Sequence, residues 1–236
     1  MLPFVRKAEY KLEQEGEDDY LCSRHIKILS YEEVEKNQYD LVVKYTKDEE
    51  SFTSLIFTPV DWQLLRKCPI PVLIVRDGDW KHQRRILVAV NVSGEQEYQD
   101  EFNQELVSTG MSLAENLNRG NVHLVAAYPV APINMAIDLP EFNTSGYENG
   151  IRGQHLINMK ALRQKFGIDE DHTHVREGFP EEVIPEVAKE IEAELVILGT
   201  VGRTGLSAAL LGNTAEHVIS KLSCNLLGIK PSKKDD

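Results

Sequence analysis

The stretch "ELVILGTVGRTGLSAALLGNTAEHVISKLSCNLLGIKP" (residues 194–231) decides the fold. An apolar run ends at Gly199, Gly202 and Gly205 follow at three-residue steps, and Gly212 stands before a helix-period segment. A second apolar run, residues 224–230, closes the unit. Strand, glycine-rich turn, helix and strand in this order are half of an α/β domain. Asn213 is the expected N-cap, with Glu216 three residues on completing a capping box. Glycines let backbone N–H groups approach an anion closely, and a helix N-terminus adds unpaired N–H groups and the positive end of a dipole. A cradle for phosphate and a ligand-free glycine-rich connection both fit this spacing.

The same pattern occurs earlier in the chain. "LVVKYTKDEESFTSLIFTPVDWQLLRKCPIPVLIVR" (41–76) lies on residues 195–230 without a gap, at an offset of 154. Leu41, Val42, Thr46, Lys67 and Leu73 fall on Leu195, Val196, Thr200, Lys221 and Leu227. The chain therefore reads as two copies of one α/β unit. In the first copy Tyr45, Asp48 and Thr58 replace three of the glycines. "KDEE" (47–50) puts carboxylates where an anion would sit, so this copy is expected to pack rather than to bind.

Along the whole chain, apolar runs alternate with helical periods. Strands are expected at 25–29, 40–45, 71–77, 85–93, 121–130, 171–178, 194–199 and 224–230. Helices are expected near 30–38, 61–67, 97–118, from about 151, and 181–193, where Pro185 should leave only the early turns regular. Near-continuous apolar strands alternating with helices argue for a doubly wound parallel sheet covered on both faces. The expected organisation is an incomplete first domain (1–77), a polar linker (78–84) and a complete second domain (85–232).

Composition narrows the function. The 236 residues are 42% hydrophobic, with 26 basic against 38 acidic side chains and a net charge of −12. Nucleic-acid binding needs Lys and Arg in number, so it is excluded. No apolar stretch reaches the length of a membrane span, and the first residues lack the apolar core of a signal peptide. The cysteines Cys22, Cys68 and Cys224 form no CxxC pair, which suits a cytoplasmic chain with free thiols.

Gly199, Gly202 and Gly212 also fit the spacing G-2x-G-9x-G. With "LGTVGRTGLSAALLGNTAEHVI", "LPEFNTSGY", "IRGQHLINMKALRQKFGI" and "FTPVDWQLLRKCPIPV", the chain resembles the universal stress protein family in its tandem form, over most of residues 40–231. The resemblance implies a flavodoxin- or Rossmann-like sheet of order 3-2-1-4-5, with the ligand at the carboxyl ends of the strands. It implies ATP, a related nucleotide or another phosphorylated ligand such as a nucleotide-sugar, which Mg2+ can accompany. The residues it implicates are Ala89, Val90 and Asn91 on the first strand of the second copy, and Ala127 on the second. On the glycine segment they are Leu198, Gly199, Gly202, Arg203, Gly212, Asn213 and Thr214. Two positions depart from the family pattern. Asn91 stands where ATP-binding members carry an aspartate, and Asn213 where they carry Ser or Thr.

No catalytic set is recognisable, since no Walker lysine follows the glycines and no nucleophile–His–acid motif occurs. Binding without turnover is the expected task, with slow ATP hydrolysis and a ligand-free dimeric scaffold as alternatives. A homodimer is expected. His172 and His174 have the spacing of one strand face, which permits a shared metal, but nothing completes a ligand set, and a solvated edge pair is expected. His155 and His217 read as surface or partly buried helix residues. The segment 131–150 is long for an α/β connection and reads equally as a binding loop or a packed surface loop.

Overall fold

The computed structural model describes residues 39–46, 59–76, 84–94, 97–117, 120–130, 144–200 and 211–231. The strands are β1 (Val42–Thr46), β2 (Val72–Arg76), β3 (Arg85–Ala89), β4 (Asn121–Tyr128), β5 (Thr173–Glu177), β6 (Leu195–Gly199) and β7 (Asn225–Ile229). The helices are α1 (Pro59–Lys67), α2 (Glu97–Asn116), α3 (Thr144–Phe166), α4 (Pro180–Glu190) and α5 (Asn213–Lys221). The strands form one sheet of order β1-β2-β7-β6-β3-β4-β5. Its β5-β4-β3-β6-β7 portion is the expected 3-2-1-4-5 arrangement, parallel throughout.

The two copies join edge to edge. β2 pairs with β7 antiparallel, with Val72 opposite Gly228, Leu73 opposite Leu227 and Ile74 opposite Leu226. Leu73 and Leu227 are the equivalent residues of the two copies, so a pseudo-twofold axis passes through their pair. The helix bounds obey the same offset, since Pro59–Lys67 maps onto Asn213–Lys221 residue for residue. Arg66 of α1 meets Glu216 of α5 across the axis at 3.0 Å.

Two apolar clusters cover the sheet. One joins α1, α4 and α5 to the strands through Leu65, Ile74, Leu87, Val125, Val187, Val196 and Ile219, among others. The other joins α2 and α3 to the opposite face through Ile86, Val88, Leu106, Leu124, Met159 and Ile197, among others. Strands buried on both faces must be apolar at every position, which is why 86–88 and 195–198 read as unbroken runs.

Three expectations shift. α3 starts at Thr144, not near 151, with Gly150 and Gly153 where an added Cβ would meet nothing within 4 Å. α4 runs unbroken to Glu190 through Pro185. The missing N–H removes one bond near the start of the helix, and burial of Val183, Ile184, Val187 and Ala188 holds the rest. β3 ends at Ala89 rather than at residue 93, because its continuation is diverted into side-chain bonds described below. The strand and helix expected at 25–38 lie outside the described residues.

Candidate functional site

β3 and β6 are the neighbours at which the strand order reverses, the topological switch point of a doubly wound sheet. Their paired register ends at Val88 and Ile197. Beyond it they part: the Val90 N–H donates to Val125 O of β4 at 2.9 Å, while Gly199 continues beside Ile229 of β7. The two strands thus diverge at their carboxyl ends.

Asn91 lies two residues beyond the end of β3. The buried amide of Asn103, on α2, holds its backbone on both sides. Asn103 Oδ1 accepts the Asn91 N–H at 3.0 Å, and Asn103 Nδ2 donates to Asn91 O at 2.7 Å. Asn103 thus replaces a neighbouring strand, and Gln99 Nε2 donates to the same Oδ1 at 3.3 Å. The Asn91 side chain makes an Asx turn, its Oδ1 accepting the Ser93 N–H at 3.1 Å. That bond sets Oδ1 toward Ser93 and leaves Nδ2, with the second lone pair of Oδ1, for a ligand. The Ser93 hydroxyl is buried without a hydrogen-bond partner. Asn158 Nδ2 donates to Val92 O at 2.8 Å, and Gly94, at φ +75°, passes so close that an added Cβ would lie 3.0 Å from that nitrogen.

Leu198 and Gly199 end β6 on the other side of the switch point. A Cβ on Gly199 would lie 2.5 Å from Cε1 of Phe102, so the glycine here admits an aromatic ring of α2 rather than a ligand. Gly199→Ala is therefore expected to lower stability by about 1–3 kcal/mol through overpacking, read as a shift in urea midpoint at unchanged slope.

At the entrance to α5 the N-cap is Gly212, in extended geometry, and not Asn213. The Gly212 N–H donates to Thr200 O at 2.9 Å, and the Thr200 N–H donates to Ile229 O at 2.9 Å. These bonds start the helix one residue earlier than a capping box at Asn213 would. Glu216 is accordingly released to pair with Arg66. Asn213 and Thr214 occupy the exposed first turn. Ala89, Ala127 and Leu198 pack on the cluster that holds α4 and α5, whereas Val90 packs on the other. The structure thus brings Ala89, Val90, Asn91, Leu198 and Gly199 to the carboxyl ends of the neighbouring strands β3 and β6. Ala127 lies on β4, beside β3. Gly202 and Arg203 lie outside the described residues.

Sequence reasoning missed Asn103, Phe102, Ser93 and Asn158. Asn103 carried a signal, since it lies three residues before Leu106 and seven before Gly110, a polar side chain on the buried stripe of its helix. His172, His174 and His155 also differ from expectation, whereas His217 does not. His172 and His174 are half-buried and contact His123, a buried residue of β4. His155 is buried, its Nδ1–H donating to Ile151 O at 2.9 Å with the ring beside Tyr128, while His217 is exposed.

The sheet order, with a glycine-bearing connection after the fourth strand of the complete unit, defines a doubly wound α/β protein of the flavodoxin or Rossmann type. A family model described as "Universal stress protein family" matches residues 13–76 and 83–230, and the chain belongs to that family. It is 95% identical over 205 residues to a "Universal stress protein E homolog" of Haemophilus influenzae, covering 87% of this chain and 66% of that one. It is 55% identical over 202 residues to "Universal stress protein E" of Escherichia coli K12, covering 86% and 64%. The chain thus spans about two thirds of the length of the curated relatives it matches. A crystal structure of a functionally unknown protein from Pseudomonas aeruginosa PAO1 superposes with a TM-score of 0.71 at 28% identity, covering 88% of this chain and 68% of that one. No helix among the described residues is long and apolar enough to cross a membrane.

Proposed function

We propose that the second repeat is the ligand-binding half of a cytoplasmic stress protein, and that it takes ATP, a related nucleotide or another phosphorylated ligand at the carboxyl ends of β3 and β6. The observation that carries this reading is the Asn103 clamp on Asn91. A buried amide spent on both backbone groups of one residue holds the end of β3 in place, a cost that packing alone does not require. The partnerless hydroxyl of Ser93, and the donor Nδ2 and second Oδ1 lone pair of Asn91, are the polar groups left for a guest. The exposed first turn of α5 adds the N–H groups and dipole end that suit a phosphate. Arg203 supplies the charge.

A nucleotide fits these groups with one difference from ATP-binding relatives. Asn91 Oδ1 already accepts the Ser93 N–H and has one lone pair left, so a ribose hydroxyl would donate to that oxygen or accept from Nδ2. When bound, ATP would supply a polyphosphate to be held. Mg2+ would accompany the polyphosphate. The chain's own part is to bind and orient. A second copy would join away from β7, whose edge is taken by β2 within the chain.

Calorimetry with ATP, ADP, AMP and a nucleotide-sugar tests the proposal. Binding is expected at or below millimolar concentration, and Arg203→Ala should weaken it by about tenfold, the worth of one charge-assisted hydrogen bond. Absence of binding by all four ligands at millimolar levels would leave the scaffold reading in its place. Gly199 is unsuitable for this test, since its substitution strikes Phe102 first.

A further inference from the structure

Away from the switch point, near the amino ends of β4 and β5, three imidazoles meet. His123 Nδ1 and His174 Nε2 are 3.2 Å apart. The ring centroids of His123 and His172 are 4.3 Å apart, and those of His123 and His174 5.5 Å apart. His123 comes from β4, His174 from β5 and His172 from the short 3-10 turn that leads into β5. We propose that this cluster is an acid-sensitive latch, holding β5 on the sheet at neutral pH and releasing it as the cluster gains protons.

The geometry admits one proton between His123 and His174, donated by one ring nitrogen and accepted by the other. A second proton turns the acceptor into a donor, so the bond is lost and two cations face each other. Little around them offsets this. Arg85 of β3 reaches past the cluster to donate to Ile191 O at 2.6 Å and adds positive charge near His123. Arg176 of β5 lies beside His174. The acids are Asp171, which eases protonation of His123, and Glu190 of α4, which eases that of His174. Glu190 is already held by Arg176 through two bonds of 2.8 and 2.6 Å, and Glu186 of the same helix also acts on Arg176.

Burial first, then the charges of His172, His174 and Arg85, lower the pKa of His123 from 6.5 to about 4. Burial and then Arg176 lower that of His174. A base lowered in the folded state stabilises above its unfolded pKa and loses that contribution as pH falls toward the folded value. The window thus runs from about 6.5 down to about 4. Between pH 7.5 and pH 5, His123 alone should raise the opening equilibrium by about thirtyfold. β5 is the element that yields, because it lies at the end of the strand order and is only partly buried along its length. Its release bares the hydrogen-bonding edge of β4.

Amide exchange of residues 173–177 at pH 7.5 and pH 5, corrected for the intrinsic pH dependence of exchange, tests this on the full chain. Protection in β5 should fall by about thirtyfold while β3 and β6 keep theirs, and His123→Phe should flatten the response. Titration of the histidine ring resonances in the unaltered protein gives an independent readout if that variant folds poorly. A normal His123 titration near 6.5, or loss of protection in all strands together, overturns the latch.

Discussion

Lys44→Met is expected to destabilise the chain by about 3–5 kcal/mol, the range for breaking a buried ion pair by removing one partner. Lys44 Nζ lies 3.5 Å from Oδ1 of Asp61, and Asp61 is fully buried. The methionine fills the stem's space but leaves the carboxylate in the core without this ammonium. The repeat supplies the control. At the offset of 154, Lys44 maps onto Leu198 and Asp61 onto Ala215, which are both buried and pack in the apolar cluster beneath α5. The second copy thus shows what the first would contain without the ion pair. Lys44→Leu combined with Asp61→Ala should recover most of the loss, because replacing both charges by apolar groups removes two desolvation penalties at once. Urea unfolding of Lys44→Leu, of Asp61→Ala and of the double variant closes a cycle. If the Lys44 variant loses less than about 1 kcal/mol, the pair behaves as a surface bridge and Asp61 is carried by other contacts.

Asn103→Leu should cost about 2–4 kcal/mol and abolish ligand binding together. Leucine restores the apolar period of α2, so packing alone predicts a gain. The loss comes from the Asn91 N–H and C=O, which lose their bonds of 3.0 and 2.7 Å at a partly buried place. Each such orphaned group costs about 1–3 kcal/mol. Freed from Asn103, the end of β3 no longer presents Asn91 and Ser93 in fixed positions, so binding should fall further than stability does. Calorimetry well below the unfolding midpoint separates the two effects. Unchanged affinity in a folded Asn103→Leu chain would remove the clamp from the binding site.

The order of the sheet was legible because burial on both faces forces unbroken apolar runs, as at 86–88 and 195–198. The repeat was legible because equivalent helices need the same length to span the same strands. What the sequence did not disclose were choices among equal local signals. Asn213 and Gly212 are both acceptable N-caps, and a single bond from Gly212 to Thr200 O decides between them. Gly199 matched a phosphate motif, while the contact that needs it is a phenyl ring 97 positions away in the chain. His172 and His174 looked like an edge pair because their partner, His123, lies on another strand, and pairing between strands leaves no mark in local periodicity. The residues at the ends of β3 and β6 were marked out through spacing and family resemblance. The groups that hold them, Asn103 and Asn158, are fixed only when helices dock on the sheet.

The pairing of Leu73 with Leu227 has a thermodynamic consequence. A contact in which equivalent residues of two like units face each other across a twofold axis has the form of a symmetric association between separate molecules. Between separate molecules such a contact dissolves on dilution, because its strength is set against translational freedom and the concentration of partners. Here both halves belong to one polypeptide, so the partner's effective concentration is set by the intervening chain and not by expression level. The midpoint of unfolding for this junction should therefore be the same at micromolar and nanomolar protein.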